Sequence, residues 1–403
     1  MKQQSVSVRW AYLALGVFSL LFAGVIYAWS ILKTPLSDAF GWTASQLALN
    51  FTLTMCFFCL GGFVGGLISK KLGCRWSLLI AAALSGIGFI LVSRLNGALP
   101  SLYLSYGVLA GLGIGIAYNV IISTVSAWFP DKKGLCSGAL MMGFGASALV
   151  VGKAASALIE EPGWRTAYCS VGAALILVLS VAAFVLRKPY PDLVLPKPQA
   201  KAALADESFE QTDWPTSKMV RRVSFWMAFL CIVCLAAVGN TVISFAKDLA
   251  MSVGAQAALA TTLVGILSVC NGLGRIIFGA LFDLLGRRKT MLTANFLTIL
   301  AAVVTLLSVL TKSIPLCIAG LCLTGFSYGA APTISSAFIS AFYGIKYFPL
   351  NFSVMNFNLM CASLMATVAS GLLESTGGYV GPFILLVALS VVSLVLNLCI
   401  KKP

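Results

Sequence analysis

The sequence predicts an all-α polytopic membrane protein, with twelve transmembrane helices in two pseudo-symmetric six-helix bundles. Three observations lead there. The 403 residues are 60% hydrophobic and 10% charged, whereas water-soluble domains hold about 25% charged residues. Apolar windows long enough to cross roughly 30 Å of hydrocarbon as helices recur along the whole chain. The pattern of the first half also returns in the second, at an offset of 213 to 214 residues.

Six windows, near 10–32, 43–69, 76–94, 99–128, 134–159 and 164–187, make the amino-terminal bundle, expected over residues 1–187. The first follows a short basic lead containing Lys2 and Arg9. It is a full span with no small-residue cleavage site, so it reads as a helix and not as a removable signal. The second ends in Gly66-Leu-Ile-Ser-Lys70-Lys-Leu-Gly73-Cys-Arg75, and the fourth carries Gly111-x-x-x-Gly115. Small residues spaced by four let helices approach closely. After the sixth span the composition changes: Pro189, Pro191, Pro196, Pro198 and Pro215 accompany five acids and little apolar periodicity. Residues 188–220 therefore form a polar cytoplasmic linker, too short for a folded domain.

The carboxy-terminal bundle, expected over 221–403, has windows near 221–249, 257–282, 290–311, 313–342, 349–373 and 379–400. Gly279-Ala-Leu-Phe-Asp283-Leu-Leu-Gly286-Arg287-Arg288 ends its second span, as the Gly66–Arg75 string ends that of the first half. Gly325-x-x-x-Gly329 repeats the glycine pair of the fourth span. Two registers agreeing within a residue establish a doubled architecture.

The net charge is +15, but the basic residues are sorted by side. With a cytoplasmic amino terminus, twenty of the 27 Lys and Arg lie inside, five outside, and Lys153 and Arg275 fall within spans. This positive-inside bias predicts both termini in the cytoplasm of a cell-membrane protein, expected in a bacterial plasma membrane. The clusters are short and lack interleaved aromatics, so nucleic acid is not an expected partner. The twelve cysteines lie mostly inside spans, and the chain has no histidine. They read as small apolar residues, and no metal or cofactor is expected. No acid, base and nucleophile stand at a workable spacing, so the chain is not expected to be an enzyme.

The string G-x-L-x-D-x-x-G-R-R at Gly279, Asp283, Gly286, Arg287 and Arg288 resembles the signature of the major facilitator superfamily. The resemblance implies two bundles rocking about a central site, with the acid pairing in one conformation and releasing in the other. In the first copy Lys70 takes the place of the acid. Longer strings, Arg9-Trp10, Tyr27-Ala-Trp29-Ser-Ile-Leu-Lys-Thr-Pro35, Gly41-Trp42-Thr-Ala-Ser-Gln46, Trp128-Phe-Pro-Asp131 and Gly163-Trp164-Arg165, are similar to the oxalate/formate antiporter family, related to monocarboxylate porters. That resemblance implies a cavity set by a basic residue in helix 8, a lysine in helix 11 and a cage of aromatics. Arg275 matches the first, while the lysine position falls on Asn358. A single cation with an amide suits a monoanion better than the dianion oxalate.

Arg275 is costly on its own account, since charge at a bilayer centre costs about 2.5–3.5 kcal/mol on insertion scales. At 1.5 Å per residue it lies roughly 12 Å from Asp283, and Asn358 lies roughly 13 Å beyond Pro349, so both reach the midplane. Asn271 stands one turn before Arg275 on the same face. Tyr118, Phe144 and Tyr328 lie at similar depth, with Tyr27 and Trp29 towards the outer side, and all are candidate lining residues. Lys153 is expected near an outer interface, either snorkelling or as a vestibule charge.

None of the twelve acids falls at midplane. The expected activity is therefore secondary active transport of a small organic anion by a monomer in the lipid bilayer. A monocarboxylate exchanged for another anion fits best. Proton-coupled monocarboxylate symport, of lactate or pyruvate type, and oxalate/formate-type antiport stay open, and a transporter-like sensor is the remote alternative.

Overall fold

The computed structural model describes residues 7–190, 193, 195–196 and 213–400. Most of the expected linker, including Asp192, Asp206, Glu207 and Glu210, lies outside the described residues, as do Lys2, Lys197, Lys201, Lys401, Lys402 and the side chain of Glu374. The helices are α1 Val8–Ala23, α2 Trp29–Phe40, α3 Ala44–Val92, α4 Leu99–Leu102, α5 Gly111–Ser126, α6 Lys133–Glu160, α7 Trp164–Val185, α8 Thr216–Met219, α9 Val223–Ser252, α10 Ala257–Thr311, α11 Ile314–Tyr343, α12 Phe348–Thr376 and α13 Val380–Leu398.

Among the described residues, nine helical stretches are long and apolar enough to cross a membrane. Two of them, Leu49–Val92 and Thr262–Thr311, run for 44 and 50 residues, about twice what one crossing needs. With the 29-residue α12 they supply the twelve crossings expected from sequence. The first crossing is longer than the window at 10–32: a 3₁₀ segment, Gly24–Ala28, joins α1 to α2, which continues to Phe40. It stops where Gly41 takes φ 66° and its N–H returns to the Ser37 carbonyl at 2.8 Å. Helix α3 then starts on a capping box, in which Thr43 Oγ1 accepts from the Gln46 N–H and Gln46 Oε1 accepts from the Thr43 N–H. The fourth crossing holds a π-helical stretch, Tyr103–Ala110, between α4 and α5.

The doubling is present in the backbone. Gly73 breaks α3 at φ 78°, ψ 178°, and Gly286 breaks α10 at φ 75°, ψ 175°. Both are conformations that side chains resist. A Cβ at Gly73 would meet nothing within 4 Å, so Gly73→Ala tests conformation alone. It is expected to cost about 1–3 kcal/mol, read as a lower midpoint of thermal unfolding in detergent.

Residues group into two compact units. Unit 1 comprises the described residues of Met1–Pro130, Ala139–Lys197 and Phe352–Val354, and unit 2 those of Asp131–Gly138, Pro198–Asn351 and Met355–Pro403. In unit 1, α3 and α5 meet backbone to backbone: Cβ atoms at Gly61, Gly111 and Gly115 would strike the carbonyls of Leu112, Thr54 and Phe58. In unit 2, α10 and α11 do the same through Gly274, Gly325 and Gly329 against the carbonyls of Phe326, Leu267 and Asn271. Each partner in the second set lies 213 or 214 residues beyond its counterpart. Both predicted glycine pairs are thus the contact faces of repeated helix pairs.

Candidate functional site

In unit 2, Arg275 is held where α10 packs on α11. Gly329 lets the two backbones close around it, since a Cβ there would meet the Asn271 carbonyl and the Arg275 N–H. Arg275 is 3% exposed, and its Nε donates to Asn271 Oδ1 at 3.3 Å. The Arg275 carbonyl accepts from Thr333 Oγ1 at 3.3 Å. Both predicted partners on α10 are therefore joined. Tyr328 is buried, and its hydroxyl donates to Asn240 Oδ1 of α9 at 2.7 Å. Asn358 is also buried, with Nδ2 donating to the Met355 carbonyl of its own helix. That bond occupies a donor that a carboxylate could otherwise use. Neither Asn240 nor Thr333 is a sequence candidate, because short polar residues are common inside membrane helices and carry no depth signal.

In unit 1 the aromatics come together. Phe144 meets Tyr27 at 5.3 Å, Tyr118 at 4.9 Å and Phe58 at 5.7 Å between ring centroids, and Tyr118 stacks at 6.1 Å on Phe352. Tyr118 and Phe144 are buried and Tyr27 half-buried. Phe58 and Phe352 complete this cluster and were not singled out from sequence. Trp29 sits elsewhere, packed at 4.6 Å on Tyr106, which continues to Phe89 and Tyr168. Near Phe352, Asn119 Nδ2 donates to Ser353 Oγ at 2.9 Å, and that hydroxyl donates to the Gly62 carbonyl at 2.8 Å. Lys153 is exposed.

A model of the Major Facilitator Superfamily matches residues 13–252 and 229–402. The chain belongs to that superfamily. Known members resemble it at low identity. The oxalate:formate antiporter of Oxalobacter formigenes is 28% identical over 70% of this chain and 65% of its own length. The uncharacterized MFS-type transporter YhjX of Escherichia coli is 25% identical over 84% of this chain and 81% of its own, and monocarboxylate transporter 12 of Rattus norvegicus 25% over 88% and 77%. Among solved structures, the major facilitator transporter FucP in its outward conformation superposes with a TM-score of 0.72 at 15% identity, covering 97% of this chain and 99% of that one. The proton:xylose symporter XylE superposes with 0.73 at 14%, over 98% and 96%. At such identities the structures speak for the fold alone.

The superfamily signature occupies a defined position in unit 2. Asp283 accepts from the backbone N–H of Gly134 and of Leu135, one to each carboxylate oxygen at 2.8 Å. These amides open α6, so the carboxylate sits on a helix amino terminus, where both the free N–H groups and the helix dipole favour an anion. Gly134 and Gly279 touch through their backbones, and a Cβ on either would strike the other's carbonyl. One turn on, Gly138 lies against the Arg275 carbonyl in the same manner. Ser137 and Ser336 share a hydrogen bond at 2.8 Å. The start of α6 thus runs along α10 from the signature acid to the buried arginine.

The same place in the second half is built differently. Asp213, at the linker's end, accepts from the Lys346 N–H at 3.1 Å, and Asn351 Nδ2 donates to the Trp214 carbonyl at 2.9 Å. Thr216 Oγ1 donates to Asn351 Oδ1 at 2.6 Å. The linker therefore ends as a clasp on the entry to α12.

Proposed function

We propose that this transporter exchanges one small organic monocarboxylate for another anion by alternating access, with Arg275 as the anchoring cation. The carrying observation is the burial of Arg275 against a neutral amide, Asn271. Along α10 and α11 the only acid is Asp283, two helical turns away. A guanidinium in that setting matches a carboxylate bidentately and resists crossing the membrane empty. Asn358 supplies an amide where a dianion site would hold a second cation. Oxalate, formate and monocarboxylates in the relatives' names belong to the same ligand chemistry. In this reading the six spans on each side of the 188–220 linker form the two bundles, with the linker and both termini in the cytoplasm, as the distribution of Lys and Arg supports.

The absence of histidine from the chain and of acids from mid-span positions favours exchange over proton coupling. The test is counterflow in proteoliposomes without a proton gradient. Labelled formate, acetate, lactate or pyruvate is expected to enter against unlabelled internal anion. Strong acceleration by an imposed gradient, with little exchange, would instead assign symport. In parallel, thermal unfolding with the same panel plus oxalate and short sulfonates is expected to show greater stabilisation by a monocarboxylate than by oxalate.

A further inference from the structure

Unit 2 carries a basic cavity that Arg275 does not line. It holds about 160 Å³ and is lined by Arg287, Arg288, Leu292, Asn397, Leu398 and Ile400. It opens where the Gly286 turn meets the end of α13. At about 30 Å³ per molecule in the liquid it has room for several waters, or for a tetrahedral oxyanion. No carboxylate of the described residues lines it. Arg287 is withdrawn from solvent at 8% exposure, its guanidinium carbon 5.2 Å from the Phe342 ring, while Arg288 is exposed at the rim. Asn397 is 4% exposed; its Nδ2 donates to Asn295 Oδ1 at 2.8 Å, and its own Oδ1 is buried with no partner among the described residues.

A row of cations that merely marks the inner side of a membrane is solvated, as Lys289 and Arg288 are. Arg287 differs, because it is withdrawn from solvent against the Phe342 ring. Two guanidinium forks on one cavity match the several acceptor oxygens of a phosphate. Leu398, 60% exposed at the same mouth, adds an apolar flank that an acyl chain could cover. We propose that this cavity binds a phosphate group, either on an anionic phospholipid headgroup or as free phosphate. Basic pockets between membrane helices recognise headgroups by this chemistry.

Native mass spectrometry of the full chain in detergent tests the site, with dioleoyl phosphatidylglycerol, dioleoyl phosphatidylcholine and inorganic phosphate as probes. Retention of phosphatidylglycerol over phosphatidylcholine is expected. Arg288→Gln is expected to weaken it about tenfold, the loss of one charge-assisted bond, while Lys289→Gln, beside the cavity but not lining it, leaves it unchanged. Leu292→Trp, which fills the cavity and keeps both arginines, is expected to abolish retention. Gel filtration and unfolding without added probe check that each variant folds. Protection by millimolar phosphate with no lipid preference would support the site and assign the free ion as its occupant. Equal losses in Arg288→Gln and Lys289→Gln, or retention unaltered by both Arg288→Gln and Leu292→Trp, would show only diffuse surface charge and overturn the proposal, as would failure of every probe to bind.

Discussion

Arg275→Gln is expected to remove anion-dependent stabilisation while making the unliganded protein more stable. Losing a buried charge-assisted partner of a carboxylate costs about 2–5 kcal/mol, hence roughly 30-fold to several thousandfold in affinity. The opposite change in the unliganded protein follows from the burial of Arg275 at 3% exposure: a shorter, neutral amide lifts the cost of holding a cation away from water. Arg275→Lys keeps the charge and loses the planar fork, so an intermediate affinity is expected. Thermal unfolding with and without ligand reads both signs at once. Stabilisation by ligand that survives in Arg275→Gln would sink the assignment of Arg275 as the anchor.

Gly134→Val is expected to leave ligand binding largely intact and to suppress exchange. The added side chain strikes the Gly279 backbone and so separates the start of α6 from α10, taking both Asp283 bonds with it. Hydrogen bonds to a charged group contribute about 1.5–3 kcal/mol each, so removing two shifts a conformational equilibrium by roughly a hundredfold or more. Cys136 reports the event, since this residue is 1% exposed and lies between Gly134 and Gly138 in sequence. Alkylation at Cys136, read by peptide mass spectrometry, is expected to accelerate in Gly134→Val along with the fall in exchange. Parental rates of both would show that this contact has no part in the transport cycle.

These residues also show what a sequence can disclose. The paired offsets of Gly73 with Gly286 and of Gly111 with Gly325 were legible, because a backbone that must approach another or take positive φ tolerates little besides glycine. Arg275 was legible because charge is costly in hydrocarbon. Trp29 was not, since two residues beyond Tyr27 is more than half a turn and places the indole on another face. A 3₁₀ segment there changes the angle further. Phe58 and Phe352 were hidden for another reason: a phenylalanine facing a cluster and one facing lipid have the same composition. The π-helical stretch at Tyr103–Ala110 has no residue signature that marks it.

The bond from Asp283 to the amides of Gly134 and Leu135 has a consequence for how this protein can change over time. One side of the contact is written in a side chain and the other in the main chain. Substitution at 283 can abolish it, yet at position 135 every residue except proline still presents the required donor. Mutational drift along the start of α6 is therefore restrained by the room beside Gly279 and not by recognition of the acid. Second-site changes that rescue a defect at 283 would have to restore volume or a new acceptor, and paired substitutions across the contact would leave little statistical trace. Its sequence record is one-sided, although the geometry needs both partners.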